Sequence, residues 1–250
     1  MTDDIEQAHY LAAQAKRPVF FTGAGMSADS GVPTFRDVLT GLWARYDPAE
    51  LATGEAFARD PALVWNFYEY RRGIVRTCAP NAGHRALAAF EKAGRHVTVI
   101  TQNVDGYHQL AGSGRVLCLH GNIMEDRCHR GCPGVFPSVE PGEPKRPVPQ
   151  VCPACGERAM RPNVVWFGEA LDEAVLAHAN EAVRDCDLMV VVGTSGGVYP
   201  AAGLADLALG TGKPFVEINP EPTRWSDVAR VYLRGRASEI LPQMLAAHDR

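Results

Sequence analysis

Short apolar runs alternate with longer amphipathic stretches along most of the chain. The apolar runs predict strands at 18–22, 96–101, 115–120, 187–193 and 214–219. Apolar positions at helical spacing predict helices at about 3–16, 61–77, 81–93, 172–184, 200–210 and 236–247. Because such alternation is typical of βαβ units, the pattern predicts an α/β fold, a parallel sheet with helices on both faces.

Two segments interrupt this alternation, 37–75 and about 122–162. The first is mixed polar and helical, with Pro48 and Pro61 as punctuation. The second contains a stretch from Pro137 to Pro149 that is rich in Pro, Glu and Lys and is predicted to be a loop. The sheet is therefore expected to carry two insertions.

The length, net charge and apolar content of the chain exclude some classes of protein. The 250 residues can form one large domain with a satellite. The net charge of −4 gives no basic footprint for nucleic acid. No apolar run is long enough to span a bilayer, and no signal peptide is recognised, so a cytoplasmic protein without membrane partners is expected. The oligomeric state is left open.

The segment after the first predicted strand has the G-x-G-x-x-A pattern of a pyrophosphate cradle. Its glycines would let the backbone turn sharply and approach a ligand closely. A helix opening at Met26 is expected to turn its N-terminus toward an anion. An ordinary dinucleotide site has an acidic residue about 20 residues further on. Here Trp43, Ala44 and Arg45 occupy that region, so a different mode of cofactor binding is predicted.

Polar residues follow the next two predicted strands. Gln102, Asn103 and Asp105 come directly after the second strand, and His120 closes the third. Open α/β sheets bind ligands at the carboxyl ends of their strands. His120 is a candidate general base, because the ordinary pKa of histidine lies near working pH.

Four of the seven cysteines form two close pairs, Cys128 with Cys132 and Cys152 with Cys155. Nineteen residues separate the pairs. This spacing indicates a structural zinc site of four thiolates, with disulfides as the alternative in an oxidising compartment. The first pair is one residue longer than a C-x-x-C, and His129 is a conceivable substitute ligand.

Taken in order, eight blocks of the chain resemble the sirtuins, the NAD-dependent protein lysine deacylases. The blocks are GAGMS at 23–27, GVPTFR at 31–36, TQNVDG at 101–106, HG at 120–121, the two cysteine pairs, VVWFGE at 164–169, GTSGGVYPA at 193–201 and EINPEP at 217–222. The resemblance covers nearly the whole chain.

The resemblance implies a Rossmann-like NAD-binding domain formed by 1–36, 76–121 and 163–250. The helical insertion 37–75 and the zinc-binding insertion 122–162 would form a small domain, with substrate and NAD in the cleft between the two domains. The implied reaction removes an acyl group from lysine and yields nicotinamide and O-acyl-ADP-ribose. NAD is then a co-substrate, and one structural zinc ion takes no part in bond making.

The resemblance also assigns roles to residues. His120 would be the base, with Asn103 beside it in the catalytic pair. The cofactor-binding residues would be Gly23, Ala24, Gly25, Ser27, Ala28, Phe35, Arg36, Gln102, Asn103, Asp105, Gly193, Thr194, Ser195, Asn219 and Ala237. Phe35 and Arg36 belong to the loop that covers the nicotinamide in the family.

Substrate contacts follow in the same way. An acyl-lysine peptide would add as a strand beside Val165, Phe167, Gly168 and Val198. Tyr68 and Arg71 look like the Tyr-x-x-Arg of sirtuins that remove succinyl and malonyl groups, and Ala52 matches a small residue that widens that pocket. Acidic acyl groups are therefore expected to be preferred over acetyl.

Three departures from the family pattern stand out: Tyr107 replaces a usual Leu, Gly54 replaces a usual Pro, and the first cysteine pair is longer. The alternatives are a zinc-containing dehydrogenase, a mono-ADP-ribosyltransferase and a non-catalytic NAD-binding or peptide-binding module. A dehydrogenase would change the absorbance by forming NADH. A transferase would add the mass of ADP-ribose to a protein, and a binding module would turn over no substrate.

Overall fold

A computed structural model describes residues 2–33, 46–138 and 148–246. Its α-helices are α1 (Thr2–Gln14), α2 (Pro48–Leu51), α3 (Gly54–Arg59), α4 (Pro61–Thr77), α5 (Ala82–Lys92), α6 (Tyr107–Ala111), α7 (Glu173–Asp185), α8 (Gly203–Gly210) and α9 (Ala237–Met244). Its strands are β1 (Pro18–Thr22), β2 (Thr98–Thr101), β3 (Val116–Cys118), β4 (Gly121–Cys128), β5 (Val135–Pro137), β6 (Met160–Val164), β7 (Leu188–Val192), β8 (Phe215–Asn219) and β9 (Val231–Arg234).

The larger sheet has the strand order β3-β2-β1-β7-β8-β9, and every neighbouring pair is parallel. Strand order reverses between β1 and β7, because the chain runs from β1 toward β2 and β3 and returns to β7. A crevice opens at such a switch point, outside the carboxyl ends of the strands. The predicted parallel α/β sheet is confirmed, with the sheet order of a Rossmann-like fold.

Alternate residues of each central strand face opposite sides of the sheet. On one side Phe20 and Val190 pack with α1, α5 and α9. On the other side Phe21 and Val191 pack with α7 and α8. Both faces are covered, which explains why β1 and β7 are buried along their whole length.

A second, antiparallel sheet has the order β5-β4-β6. Its inner residues, Ile123 and Val164, join a separate apolar cluster with α2, α3 and α4. The four paired cysteines lie at the far end of this sheet. The two predicted insertions therefore pack against each other, as a helical layer on a small sheet.

The structure corrects the expected helix at Met26. Two short 3₁₀ turns, Ala24–Met26 and Ala28–Ser30, take its place. The second ends at Gly31, whose φ of 86° lies in the left-handed region and stops the helical path. An anion at this edge would therefore meet turn backbone instead of an α-helix N-terminus.

Most predicted elements lie within a few residues of the observed ones. Helices α2 and α3 lie in the segment that was predicted only as mixed polar and helical, and five further elements were missed. These five are β9 and the short helix α6, together with all three strands of the smaller sheet, β4, β5 and β6. None of the helices in the described parts of the chain combines the length and apolar character needed to cross a membrane.

Candidate active site and zinc cluster

Three loops meet at the carboxyl edge of the larger sheet. Thr22 at the end of β1 pairs with Thr101 of β2 on one side and Val192 of β7 on the other. The glycine segment after β1 and the polar segments after β2 and β7 therefore lie side by side. The predicted cofactor residues of these three segments are thus brought together by the register of the strands.

The glycines of this edge allow two loops to touch. A Cβ on Gly25 would stand 2.7 Å from the Cα of Gly193, and one on Gly23 would stand 2.6 Å from the Cβ of Thr194. Gly193 itself has a φ of 59°. The glycines are therefore required first by packing between the β1 and β7 loops, where the sequence suggested close approach to a ligand.

Backbone N–H groups of the cradle are mostly engaged within the protein. Those of Gly23, Gly25, Met26 and Ser27 donate to backbone carbonyl oxygens at 2.8–3.0 Å. Ala24 and Ala28 are exposed, and within the described residues their N–H groups donate to no acceptor. These two groups are available to an anion at the sheet edge.

A polar network joins the cradle to the loop after β2. Asn103 Nδ2 donates to the carbonyl oxygen of Gly23 at 2.9 Å and to Ser27 Oγ at 3.2 Å. Ser27 Oγ in turn donates to Asp105 at 2.7 Å. Burial raises the pKa of Asp105, while Ser27 and the Tyr107 N–H oppose that shift. The carboxylate of Asp105 thus fixes the orientation of the Ser27 hydroxyl.

His120 lies in the turn between β3 and β4, beside the same edge. Its Nδ1 is 2.9 Å from the carbonyl oxygen of Gln102, which can only accept. Neutral His120 therefore carries its proton on Nδ1 and has a lone pair on Nε2. Burial lowers the pKa of His120, so the ring is neutral at pH 7. This is the state that a general base needs.

The turn after His120 depends on a glycine. Gly121 has a φ of 82°, and a Cβ there would stand 2.0 Å from the carbonyl oxygen of Asn163. The backbone oxygen of His120 accepts from the N–H of Val165 at 2.9 Å. His120 is therefore held by the larger sheet through its ring and by the smaller sheet through its backbone.

Residues after β7 and β8 complete the edge. Thr194 Oγ1 accepts from Gln102 Nε2 at 3.0 Å, and its carbonyl oxygen accepts from Asn219 Nδ2 at 3.1 Å. Ser195 is exposed. Ala237 is the buried first residue of α9, which packs beside the first 3₁₀ turn. These residues follow the carboxyl ends of β7 and β8 or, for Ala237, begin the helix that contacts the first 3₁₀ turn.

The predicted acyl pocket lies on α4, facing the smaller sheet. Trp166 Nε1 donates to Tyr68 Oη at 2.9 Å. The Arg71 guanidinium carbon lies 5.6 Å from the centre of the Tyr68 ring and 5.8 Å from that of Phe67. Ala52 is buried in the same apolar cluster. Trp166 was not singled out from the sequence, although it lies within a motif that was.

Arg71 also lies near the loops that follow β1 and β2. It lines a small cavity together with Val32, Pro33, Ile74 and Val75. Burial lowers the pKa of Arg71, while Tyr68 and the carboxylate of Asp105 oppose that shift. The cation is thus held among apolar groups between α4 and the polar network of the sheet edge.

The predicted peptide segments are exposed at this face. Phe167 and Val198 have 58% and 49% of their surface exposed, large values for apolar side chains. The Phe167 N–H donates to the carbonyl oxygen of Ala52 at 3.0 Å. Gly168 has a φ of 82°, and its exposed N–H donates to no acceptor among the described residues. Val165 is half-buried beside His120.

The zinc prediction has a geometric counterpart. The sulfur atoms of Cys128, Cys132, Cys152 and Cys155 all lie within 4.8 Å of one another. Four thiolates about 2.3 Å from zinc would be roughly 3.8 Å apart. All four are free thiols, so the disulfide alternative is wrong. His129 lies outside the cluster, with its ring packed 5.1 Å from that of Phe57.

Two predicted residues, Phe35 and Arg36, lie outside the described residues. Among the departures, Tyr107 Oη donates to the carbonyl oxygen of Val75 at 2.9 Å, which ties α6 to α4. Gly54 is the first residue of α3.

Comparison with protein families settles the relationship. Residues 23–200 match the model of the Sir2 family. The chain belongs to the Sir2 family. The matched range runs from the first glycine of the cradle to the loop after β7, so it includes the smaller sheet and strands β2, β3 and β7 of the larger one. The recognition from sequence motifs is thereby confirmed.

Similar Sir2 proteins cover nearly the whole chain. The NAD-dependent protein deacylase 1 of Pseudomonas aeruginosa is 52% identical over 240 residues, covering 94% of this chain and 95% of the relative. The NAD-dependent protein deacylase 2 of Pyrobaculum aerophilum is 49% identical, covering 94% and 92%. The predicted enzyme class, an NAD-dependent protein deacylase, agrees with these relatives.

Solved Sir2 structures share the fold. An NAD complex of a Sir2 homologue superposes with a TM-score of 0.87 at 42% identity, covering 96% of this chain and 92% of the other. Sir2Af2 bound to a myristoylated histone peptide gives 0.76 at 35% identity, covering 98% and 96%. The predicted Sir2 fold, with a parallel sheet and a four-cysteine cluster, is confirmed.

Proposed function

We propose that this protein is an NAD-dependent protein-lysine deacylase that removes succinyl and malonyl groups faster than acetyl groups. Family membership and the relatives named as deacylases support the reaction. The observation that carries the preference is the pairing of Arg71 with Tyr68 on α4. The cofactors are NAD and one zinc ion, the latter matched by the four-cysteine cluster.

The sheet edge offers the groups that NAD requires. Free N–H groups of Ala24 and Ala28 suit its pyrophosphate, and Asn219 at the end of β8 replaces the acid of an ordinary Rossmann site. Gln102, Asn103 and Asp105 would hold the ribose and nicotinamide side. NAD supplies the activated C1′ carbon, the nicotinamide leaving group and the hydroxyls that take up the acyl group as O-acyl-ADP-ribose.

His120 performs the proton transfer in this proposal. Its Nε2 carries the lone pair, because Nδ1–H is engaged by Gln102. A ribose hydroxyl placed at Nε2 would lose its proton to the ring and become the stronger nucleophile. Fixing the acyl-lysine oxygen near C1′ supplies the orientation that a weak nucleophile needs.

An acidic acyl group would meet two donors. The Arg71 guanidinium can bind a carboxylate with two N–H groups, and the Tyr68 hydroxyl can add a third bond. Burial raises the pKa of Tyr68, so the phenol keeps its proton at neutral pH. Since Trp166 already donates to the Tyr68 oxygen, the phenol proton is directed away from the indole. Ala52 leaves room beside this pair.

Peptide binding by strand addition belongs to the same proposal. The exposed Phe167 and Val198 flank a strip in which the Gly168 N–H is open. An extended acyl-lysine peptide would pair its backbone with this strip, which gives affinity with little sequence preference. The lysine stem would pass Val165 toward His120.

The presence of two sheets supports an assignment of two domains. We place the NAD-binding domain in 1–36, 76–121 and 163–250, with the small domain in 37–75 and 122–162. The zinc ion would be structural, since four thiolates leave no open position. A cytoplasmic location fits free thiols, which persist in reducing compartments.

The test uses one peptide sequence in succinyl, malonyl and acetyl forms, incubated with the protein and NAD and followed by mass spectrometry. The expected products are free lysine peptide and the matching O-acyl-ADP-ribose, formed fastest from the acidic forms. A charge-assisted bond of about 1.5–3 kcal/mol corresponds to a preference of roughly 10- to 150-fold.

Arg71→Met should abolish this preference, whereas Arg59→Met, an exposed cation at the end of α3, should preserve it. An unchanged ratio in Arg71→Met would contradict the pocket. ADP-ribose attached to protein would indicate a transferase. Intact NAD with every peptide would indicate a binding module.

A further inference from the structure

The loop after β7 lies between the two groups of proposed ligand contacts. It carries Thr194 and Ser195 on the cofactor side and Val198 on the peptide side, with Gly196 in between. Gly196 is buried, whereas residues 197–200 are exposed. A loop that binds a peptide loses conformational entropy unless its conformation is fixed beforehand. The contacts that fix the peptide half of this loop therefore bear on peptide affinity.

The cofactor half of the loop is fixed by the edge of the larger sheet. Gly25 donates its N–H to the carbonyl oxygen of Gly193 at 2.8 Å. Thr194 accepts hydrogen bonds from the side chains of Gln102 and Asn219. These contacts end at Thr194, so the conformation of the peptide half depends on other parts of the molecule.

Trp225, in the turn between β8 and β9, supports the loop at Gly196. The indole is buried and lies so close that a Cβ on Gly196 would stand 2.8 Å from its Cη2 and 2.9 Å from its Cζ3. Gly196 also has a φ of 71°, which favours glycine. The outer ring of the indole therefore packs directly against the backbone of the loop.

A buried carboxylate holds the turn that carries Trp225. Glu217 of β8 has no exposed surface, and its two oxygens accept from Thr223 Oγ1 at 2.6 Å and from Ser226 Oγ at 2.7 Å. Thr223 Oγ1 also accepts from the backbone N–H of Trp225 at 3.2 Å. The turn is thus anchored to the interior of the larger sheet, and Trp225 is a fixed support for the loop.

Asp206 of α8 joins Trp225 to a second point of the loop, Tyr199. One carboxylate oxygen accepts from Trp225 Nε1 at 2.9 Å, and the other accepts from Tyr199 Oη at 2.9 Å. Arg224 Nη2 donates to both oxygens, at 2.5 and 2.6 Å. Burial raises the pKa of Asp206, but these three donors outweigh it and leave the pKa below its usual value. Asp206 is therefore a charged acceptor at neutral pH.

We propose that Trp225 and Asp206 are positioning residues for peptide binding, which fix the loop at Gly196 and Tyr199, on either side of Val198. An extended peptide that pairs with a fixed strip loses less free energy to ordering than one that pairs with a mobile strip. The support should therefore favour acyl-lysine within an extended chain over isolated acyl-lysine. This proposal rests on the proposed deacylase function and on peptide binding by strand addition.

Two substrates separate this role from a general structural one. The first is a succinyl-lysine peptide with several residues on each side, and the second is succinyl-lysine with both ends blocked, which has no flanking backbone. Trp225→Phe has a shorter ring and no N–H for Asp206. Its kcat/KM for the peptide should fall about three- to tenfold, as expected for one lost hydrogen bond, through a higher KM. The blocked lysine and the KM for NAD should be unaffected.

Tyr199→Phe tests the second point of support at a position where folding is not at risk. Tyr199 has 60% of its surface exposed, and the variant loses only the hydroxyl that donates to Asp206. The peptide KM should rise about two- to fivefold, again without change for the blocked lysine. Asp206→Asn should raise the peptide KM as well. Its matched control is Asp227→Asn, an exposed acid beside the same turn, which should not.

Equal losses with both substrates, or unchanged peptide kinetics in Trp225→Phe and Tyr199→Phe, would overturn the proposal. A wild-type protein that uses the blocked lysine as well as the peptide would also overturn it. Wild-type protein that turns over neither substrate would contradict the deacylase function instead. Fluorescence anisotropy of a labelled succinyl-lysine peptide would then decide the role of the loop: weaker binding in both variants supports it, and equal or absent binding overturns it.

Discussion

The Nδ1–H of His120 donates to the carbonyl oxygen of Gln102 at 2.9 Å, so the candidate base is oriented by the backbone of the loop after β2. This contact selects the tautomer before any substrate binds. It also ties the orientation of His120 to the loop that carries Asn103.

The pH profile of deacylation should reflect this arrangement. Burial lowers the pKa of His120 below its ordinary value of 6.5, and the bond to Gln102 only partly opposes this shift. A base works when unprotonated, so kcat/KM should be flat above pH 6.5 and fall as the pH drops through the lower pKa. Thermal melting at each pH is the control, and an acid limb above pH 6.5 would contradict the prediction.

Stability should also decline in acid, through the buried His84 on α5 and His108 on α6. Burial lowers their pKa values from the ordinary 6.5 to about 4 and about 3, so the unfolded chain binds more protons between pH 6.5 and 4. Stability contributed by the neutral rings is therefore complete above pH 6.5 and is lost as the pH falls, by up to about 1.4 kcal/mol per proton and pH unit. Denaturant unfolding measures this slope.

His178→Gln, an exposed position on α7, should keep the same slope, whereas His84→Asn should reduce it. A slope that His84→Asn leaves unchanged would assign the acid loss to other groups.

Gly25→Ala should lower both stability and NAD affinity. The new Cβ would meet the backbone of Gly193 at 2.7 Å, and no side-chain rotation can relieve a contact between backbones. Overpacking of this kind costs about 1–3 kcal/mol. Gly73→Ala, on the exposed side of α4 with no atom within 4 Å of its Cβ, should instead stabilise by about 0.5–1 kcal/mol. Unchanged melting and NAD titration in Gly25→Ala would contradict the packing argument.

Removing zinc should unfold the end of the smaller sheet. Three of the four cysteines, Cys128, Cys132 and Cys152, pack in a cluster with Met160 of β6, the strand that leads to Trp166 and the proposed acyl pocket. Loss of a structural metal is among the few changes that cost about 4 kcal/mol or more. Chelation should release one zinc ion per chain and abolish deacylation, and added zinc should restore it.

Cys118→Ser provides the matched control, since this thiol lies outside the cluster and accepts a hydrogen bond from Gln109. It should retain one zinc ion per chain. Full activity in metal-free protein would show that the cluster is dispensable.

Gly54→Pro should raise the melting temperature. Gly54 is the first residue of α3, where proline's fixed φ suits the helix and its missing N–H is not needed. Thr53 before it is already extended, with φ −138° and ψ 157°, as a residue before proline must be. A gain of about 0.4–1 kcal/mol corresponds to roughly 1–4 °C in a chain of this size. Gly54→Ala separates general helix propensity from the proline effect, and a lower melting temperature in Gly54→Pro would contradict the assignment.

Sequence reasoning predicted the larger sheet well, because its central strands are continuous apolar runs such as Leu188–Val192. It missed β9, where only Val231 and Leu233 are buried along a four-residue edge strand. It missed all three strands of the smaller sheet as well. The apolar residues of β4 do not alternate with polar ones, β5 has three residues, and β6 contains Pro162, so none of them gives an alternating signal.

The candidate site was predictable where motifs carried it, as with His120 and the cysteine pairs. The partners that aim these groups were not, since Trp166 meets Tyr68 across 98 positions of sequence and Asn103 meets Gly23 across 80. Such contacts depend on the register of two sheets, which no local pattern encodes. Asn81 and His84 did leave a local signal, a capping box at the start of α5.

His120 is gripped by both sheets, through its ring at Gln102 and through its backbone at Val165. Catalytic turnover would therefore depend on how the two sheets pack against each other. A substitution in either sheet that shifts this packing would also shift His120. A library of variants selected for activity would keep the contacts of His120 with Gln102 and Val165. A library selected only for the melting temperature of the larger sheet would lose the contact with Val165, and the selection would not detect the loss.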